Sequence, residues 1–119
     1  MPDRIASRHQ QTAANENHTL ENRLLKQYRA IAHKLHPIVT VGGQGLTGGI
    51  ETELDRALTD HELVKIKVSV GDREARDAVI EQLVTSSGAE LVQKIGHTAT
   101  LLRHSENADP RKSNLQRPI

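Results

Sequence analysis

The chain has no cysteine, tryptophan or phenylalanine, and Tyr28 is its single aromatic residue among 119 positions. Without cysteine, neither a disulfide framework nor a cysteine-ligated zinc site can form. With only one aromatic ring, the core must be built from leucine, isoleucine, valine and alanine, and a sheet that stacks bases on several exposed aromatic side chains is excluded. At this length, one small domain with an aliphatic core is expected.

Long apolar runs are also absent. No run approaches the roughly 18 residues that a membrane-spanning helix needs, and the first 18 residues lack the apolar stretch and cleavage site of a signal peptide. We therefore expect a cytoplasmic protein with no membrane partner. Residues 1–18 and 105–119 are polar and have little to bury, so both are expected to be disordered tails on a domain that spans residues 19–104.

The net charge of +1 hides an uneven distribution of charge along the chain. Residues 20–45 contain four lysines and arginines against the single acid Glu21, whereas residues 51–62 contain five acids against Arg56. The sequence therefore predicts faces of opposite charge on one small domain.

Hydrophobic periodicity predicts three helices. The first helix is expected over residues 19–36, with Thr19 as N-cap and Pro37 preventing continuation. The second is expected from the N-cap Thr47 to about residue 60. The third is expected from Asp72 to about residue 87, with Gly88 as a left-handed C-cap. The residues expected to face the core are Leu24, Tyr28, Ile31 and Leu35, then Ile50, Leu54, Ala57 and Leu58, then Ala75, Val79 and Leu83.

Four strands are predicted between and after these helices. The first covers residues 38–41, and the run ELVKIKVSV alternates with period two, so that Val64, Ile66, Val68 and Val70 point one way and Lys65, Lys67 and Ser69 the other. The last two strands, AELVQKI and TATLLR, flank Gly96-His97, a two-residue loop that suits a type II′ hairpin. The predicted order is α-β-α-β-α-β-β, which is an α/β domain.

The run VTVGGQGLTGG places a glycine loop between the first strand and the second helix. Free N–H groups, the helix dipole and the missing side chains could form a cradle for a phosphate group, but a tight strand-to-helix turn would also use glycine. The loop lacks the Lys-Ser/Thr pair of a P-loop, and Lys65 and Ile66 stand where a dinucleotide fold needs an acid. No cofactor is expected. His33 and His36 have no third ligand placed by the sequence, so no metal is expected.

Two other functions remain open from the residues alone. The tripeptide Gly42-Gly43-Gln44 also occurs in peptide-release factors, which makes a peptidyl-tRNA hydrolase conceivable, although such tripeptides need a long mobile loop. A protein-interaction module is the other alternative, because the nearly balanced net charge is low for an RNA-binding protein.

Three stretches together closely resemble one known family. LHPIVTVGGQGLTGG, ETELDRALTDHELVKIKV and GAELVQKIGHTATLLR match, in order and spacing, the CRM (chloroplast RNA splicing and ribosome maturation) domain, best in its stand-alone bacterial YhbY form. The resemblance spans about residues 20–103. It implies a single compact domain with three helices against a four-stranded mixed sheet, similar to the C-terminal domain of translation initiation factor three. It also implies binding to ribosomal RNA in precursors of the large subunit, without catalysis; we expect no DNA partner and a monomer.

In this family the G-x-x-G loop is taken to contact the RNA backbone, which carries over to Gly42, Gly43, Gln44 and Gly45. Many members have a lysine or another polar donor between the outer glycines, whereas this chain has Gly43-Gln44, so its positive charge must come from elsewhere. The candidates are Lys26, Arg29, His33 and Lys34, which would flank the loop if the first helix packs beside it, and the outward Lys65 and Lys67. An ordinary solvated helix face is the alternative for the stripe of residues 26, 29 and 33.

Overall fold

A four-stranded sheet with helices on both faces forms the framework of residues 22–119, which are the residues that this computed structural model describes. The elements follow the predicted order: α1 (residues 22–32), β1 (Pro37–Val41), α2 (Gly48–His61), β2 (Leu63–Val68), α3 (Arg73–Ser87), β3 (Glu90–Ile95) and β4 (Thr98–Leu102). The predicted α/β architecture is confirmed. The expected N-cap Thr19 and the expected N-terminal tail lie outside the described residues.

The strands are arranged in the order β1-β2-β4-β3. β1 runs parallel to β2, and the other two pairs are antiparallel, so the sheet is mixed as expected. At the β3–β4 hairpin Gly96 has φ 56°, and His97 does not have positive φ. This combination fits a type II′ turn and not type I′, which needs positive φ at both positions.

The predicted capping residues define two of the helices. The Thr47 hydroxyl accepts a hydrogen bond from the Ile50 N–H at 3.3 Å, and the Asp72 carboxylate accepts one from the Ala75 N–H at 2.9 Å. Gly88 closes α3 in the left-handed region, with φ 72°. α1 ends four residues earlier than expected, because the N–H groups of Lys34 and Leu35 bond three residues back and tighten the chain into a turn before the proline.

The larger hydrophobic cluster lies between the sheet and α2 with α3. In β2 the alternation is as predicted, since Val64, Ile66 and Val68 are buried while Lys67 is exposed. The helices contribute the fully buried Leu54, Leu58 and Leu83, with Ala57 and the unpredicted Ile80 beside them. Ile50, Ala75 and Val79 are partly buried at its margin.

The opposite face of the sheet is covered by α1. Leu25, Tyr28, Ile31 and Leu35 pack against a smaller buried cluster of Leu63, Val92 and Leu102. Leu24, expected to face the core, is instead 44% exposed, and Leu25 takes its place. Leu24 and Leu25 stand four and three residues before Tyr28, so both lie near its face of the helix. Helical periodicity alone therefore does not show which of the two is buried.

Residues 105–119, here called the C-terminal segment, differ from the expected disordered tail. The segment has no helix or strand, yet Ser113 and Asn114 are buried against the start of β2. The Asn114 amide donates to the Leu63 carbonyl at 2.6 Å, and its main-chain N–H donates to the His61 carbonyl at 2.9 Å. Polar side chains therefore attach this segment to the domain, which is why hydrophobic patterning did not reveal it.

Glu62 is the buried group on which the C-terminal segment converges. It follows α2 with φ 62° and ψ −50°, a positive-φ conformation that is uncommon for a residue with a side chain. Its carboxylate accepts hydrogen bonds from the Ser113 hydroxyl at 2.7 Å, the Ser105 N–H at 2.8 Å and the Gln116 amide at 3.3 Å. The acid is thus paired with neutral donors from a segment about fifty residues away.

Across residues 22–119, no helix is both long enough and apolar enough to span a lipid bilayer.

Candidate functional site

The glycine loop forms a closed turn at the end of β1. The Gly45 N–H donates to the Gly42 carbonyl at 2.9 Å, and Gly45 has φ 75°, in the region that favours glycine. Gly42, Gly43 and Gln44 are exposed. The turn therefore presents its main chain to solvent directly before α2 begins.

Gly42 and Gly43 are not required by the fold itself. Neither has positive φ, and a Cβ atom added to either would meet no other atom within 4 Å. Backbone strain thus explains the glycine at position 45 and does not explain these two. What their missing side chains do provide is close access to the main chain from outside the molecule.

Several main-chain N–H groups around the loop are left without a hydrogen bond to the described part of the chain. The N–H groups of Gly43 and Gln44, and those of Gly48 and Gly49 in the first turn of α2, have no acceptor among residues 22–119. The amino end of a helix adds partial positive charge there, which favours an anionic ligand. The turn itself has no charged side chain, and Glu51 stands in the first turn of α2. Any strong attraction for an anion must therefore come from neighbouring cations.

Lys67 is the predicted cation nearest the loop along the sheet. It pairs with Thr40, two residues before Gly42, and its side chain is exposed on the face that α1 partly covers. Lys65 pairs with Pro37 at the other end of β1 and is half-buried. The two lysines therefore share a face of β2 but mark its opposite ends.

The basic residues of α1 do not flank the loop as expected. Lys26, Arg29 and His33 are exposed, but α1 packs against Leu63 at the start of β2. The loop follows β1, whose end pairs with Val68 at the end of β2. Five strand steps of about 3.3 Å separate these two ends, or about 16 Å. Helical periodicity identified the buried face of α1 but not the end of the sheet that it covers.

A second group of cations, which was not predicted from the sequence, lies near the α1 end of the sheet. Arg111, Lys112 and Arg117 of the C-terminal segment line a cleft together with Lys34 and Lys65. The signal was present in the sequence, because residues 110–119 contain three cations and no acid. The segment was passed over because it was expected to be disordered.

Among residues 22–119, no cluster of three or more histidine, cysteine or acidic side chains could hold a metal ion.

Comparison with known proteins gives concordant results. A family model, the CRS1 / YhbY (CRM) domain, matches residues 20–103. A protein of Pseudomonas aeruginosa named as a probable RNA-binding protein is 40% identical over 92 residues, covering 77% of this chain and 88% of the relative. A protein of Haemophilus influenzae named as an RNA-binding protein is 42% identical over 97 residues, covering 79% of this chain and 98% of the relative.

A solved structure agrees with the fold. The solution structure of a hypothetical protein from Staphylococcus aureus matches with a TM-score of 0.62 and 28% identity, covering 69% of this chain and 85% of that chain. The family match extends over most of the described domain and includes the glycine loop, β2 and the closing hairpin. This chain belongs to the CRS1 / YhbY (CRM) domain family.

Proposed function

We propose that this protein binds ribosomal RNA in precursors of the large ribosomal subunit and assists their assembly without catalysing a reaction. Family membership and the names of two relatives as RNA-binding proteins support the RNA partner. The large-subunit precursor is what the resemblance to the YhbY form implies.

The observation that supports the loop as the RNA contact is the open backbone at Gly42 and Gly43. Nothing in the domain would clash with a side chain at either position, so the space beside them is available to a ligand. The N–H groups of the exposed Gly43 and Gln44 can donate to phosphate oxygens, as can those of the first turn of α2. Gly45 maintains the turn through its positive φ.

Positive charge reaches the RNA from both ends of the sheet. Lys67 lies toward the loop end of β2, where it can contact RNA that is bound at the loop. Lys65 lies further along β2. Lys26, Arg29, His33 and Lys34 are exposed and offer contacts to RNA that continues past α1. Phosphate contacts of this kind give affinity with strong salt dependence and little sequence preference.

The loop does not favour a hydrolytic role for Gly42-Gly43-Gln44. The turn closes within four residues through the Gly45 N–H and leads directly into the capped start of α2 at Thr47. Such a short connection cannot extend far from the sheet. We infer that Gln44 contributes its main-chain N–H, and Gln44→Ala is therefore expected to bind RNA almost as well as the parent protein.

The first test adds a negative charge at the loop. Gly43→Asp is preferred to a change at Gly45 because position 43 has open space and no positive φ, so the fold should tolerate it. Its carboxylate would face the approaching phosphate, and we expect RNA affinity to fall at least tenfold, a cost of about 1.4 kcal/mol. Filter binding with a fragment of large-subunit ribosomal RNA measures the change.

The matched control is Gln82→Glu, which adds the same charge to an exposed position on α3. It should bind as the parent does. Equal affinity of a folded Gly43→Asp variant would show that the loop is only a tight turn and that the RNA surface lies elsewhere.

The ribosomal assignment is tested in cell extracts. The protein should sediment with large-subunit precursors in a sucrose gradient and should leave those fractions after nuclease treatment. Absence from every ribosomal peak would refute the assignment. Association that survives complete RNA digestion would favour a protein-interaction module instead.

A further inference from the structure

A cleft near the α1 end of the sheet is lined by several lysine and arginine side chains. Its volume is about 400 Å³, and it lies between the α1–β1 connection, β2 and the C-terminal segment. Five of its lining residues are lysine or arginine, and no acidic side chain of residues 22–119 lines it: Lys34, Lys65, Arg111, Lys112 and Arg117. His36 and His61 complete its polar wall.

Most of these cations have no carboxylate partner. Among residues 22–119, no acid lies within ion-pair distance of Lys65, Lys112 or Arg117. Arg111 is 3.8 Å from Asp109, at the surface, where such a pair contributes little. Glu62, the acidic residue closest to Lys65 along the chain, is buried, and its carboxylate accepts a hydrogen bond from Ser113. The charge facing the cleft is thus left available to a ligand.

The cleft is built from bonds that hold the C-terminal segment in one position. The His61 ring Nδ1 donates to the main-chain oxygen of Lys112 at 2.9 Å, and Asn114 bonds to the main chain of His61 and Leu63. Arg117 Nε donates to the Asn114 side-chain oxygen at 2.9 Å. Lys34 Nζ is 3.5 Å from the main-chain oxygen of Ile119. Cations from three parts of the chain are therefore held around one space.

Holding like charges together costs free energy through mutual repulsion, and a bound anion would relieve that cost. An extended polyanion fits this arrangement better than a single small anion, because the cations come from three separate parts of the chain. The cleft also lies at the Pro37 end of β1, while the glycine loop lies at its other end. Four strand steps of about 3.3 Å, or about 13 Å, join them along β1, a distance of a few nucleotides.

We propose that this cleft is a second contact for the RNA phosphate backbone, formed jointly by the C-terminal segment, Lys34 and Lys65. The inference rests on the proposed RNA-binding function and extends it to residues beyond the family-matched region, which ends at residue 103. The glycine loop and the cleft then hold the same RNA at the two ends of β1.

The test removes two cleft charges from different elements in the full-length chain. Lys65→Gln combined with Lys112→Gln should lower the affinity for a large-subunit ribosomal RNA fragment about tenfold near physiological salt, and the slope of log affinity against log salt should become shallower by about 1.4 to 1.8, since each phosphate contact contributes about 0.7 to 0.9. The matched control, Arg56→Gln with Lys94→Gln, removes the same charge from α2 and from the Lys94–Asp77 surface pair. It should leave affinity and slope unchanged.

A second cleft variant distinguishes loss of charge from loss of folding as the cause of weaker binding. Arg111→Gln with Lys112→Gln changes two exposed side chains and keeps the main-chain oxygen that His61 bonds. It should show the same shallower slope, with an unchanged melting temperature.

The outcomes separate this inference from the proposed function. If both cleft variants bind RNA as the parent does while Gly43→Asp is weakened, the cleft assignment is wrong and the loop assignment stands. If the parent protein binds no RNA, both fail. If polyglutamate competes with RNA and its binding depends equally on Lys65 and Lys112, the cleft is a site for acidic protein and the RNA assignment is overturned.

Discussion

At the scale of single residues, Glu62 is the most consequential side chain outside the proposed RNA surface. Burial by itself would raise the pKa of this carboxyl. Hydrogen bonds from Ser113, the Ser105 N–H and Gln116, with the nearby His104, outweigh burial and hold the pKa below its ordinary value of 4.5. The ionised form is thus the one that the fold stabilises, and the C-terminal segment is attached through it.

Replacing the charge should therefore loosen the segment. Glu62→Gln keeps the size of the side chain, but one oxygen becomes an NH₂ group that cannot accept from Ser113 or Ser105. We expect a loss of about 1 to 3 kcal/mol in the free energy of unfolding, the usual cost of disrupting buried hydrogen bonds to a charged group. Urea unfolding at neutral pH measures it, and an unchanged midpoint would show that the bonds to Glu62 contribute nothing net.

The same substitution should change the response to acid. A carboxyl whose pKa is lower in the folded state stabilises the fold above about pH 4.5, and this contribution is lost as the pH falls through the lowered pKa. The parent protein should therefore lose stability below pH 4.5 more steeply than Glu62→Gln. Asp77, whose pKa is also lowered, chiefly by its hydrogen bond with Lys94, is unchanged in both proteins and so cancels in the comparison.

At the scale of secondary structure, local sequence patterns correctly predicted the features that depend only on residues within one element. The alternation in β2, the cap at Thr47 and the C-cap at Gly88 were all predicted, because each depends on residues within a few positions. The glycine loop was likewise placed correctly between β1 and α2. Its contact with RNA stays a prediction.

What the sequence could not predict depends on contacts between distant elements. The position of α1 along the sheet is set by Leu63 and Leu102, far along the chain, so its basic stripe was expected beside the loop and lies elsewhere. The C-terminal segment is attached by the polar side chains of Ser113 and Asn114, which carry no hydrophobic period. Arg111, Lys112 and Arg117 were missed because the segment that contains them shows no such period.

The two faces of the sheet should differ in stability. The α1 face depends on three buried apolar residues, with the partly buried Leu115 joining α1 to the C-terminal segment, whereas the α2 and α3 face contains a much larger cluster. Leu115→Ala is expected to cost about 1 to 2 kcal/mol, less than the about 2 to 5 kcal/mol typical of a fully buried leucine. Leu83, which is completely buried, provides that comparison as Leu83→Ala.

Hydrogen exchange locates the effect. Leu115→Ala should raise exchange rates in α1 and the C-terminal segment and leave α3 protected, because local opening of the smaller cluster does not require the larger one to open. Uniformly faster exchange through all three helices would indicate a single cooperative unit and contradict this expectation.

At the scale of the whole molecule, charge is divided between the two sides of the sheet. Residues 48–61 and 72–87, which contain α2 and α3, hold eight acidic residues against three arginines. Residues 22–36 and 110–119, which lie on the α1 side, hold seven lysines and arginines and no acid. RNA should therefore approach the α1 side, and α3 and all of α2 except its amino end should face away from it.

Such a division gives the protein a large electric dipole despite its net charge of +1. A negatively charged chromatography resin interacts with the face turned toward it, so the protein should bind a phosphocellulose column more firmly than its net charge suggests. Lys65→Gln/Lys112→Gln and Arg56→Gln/Lys94→Gln have identical net charge, yet the first should elute at lower salt because it weakens the positive end of the dipole. Coelution of the two variants would mean that the resin senses total charge alone, and that the positive end is too diffuse to orient the protein on an anionic surface.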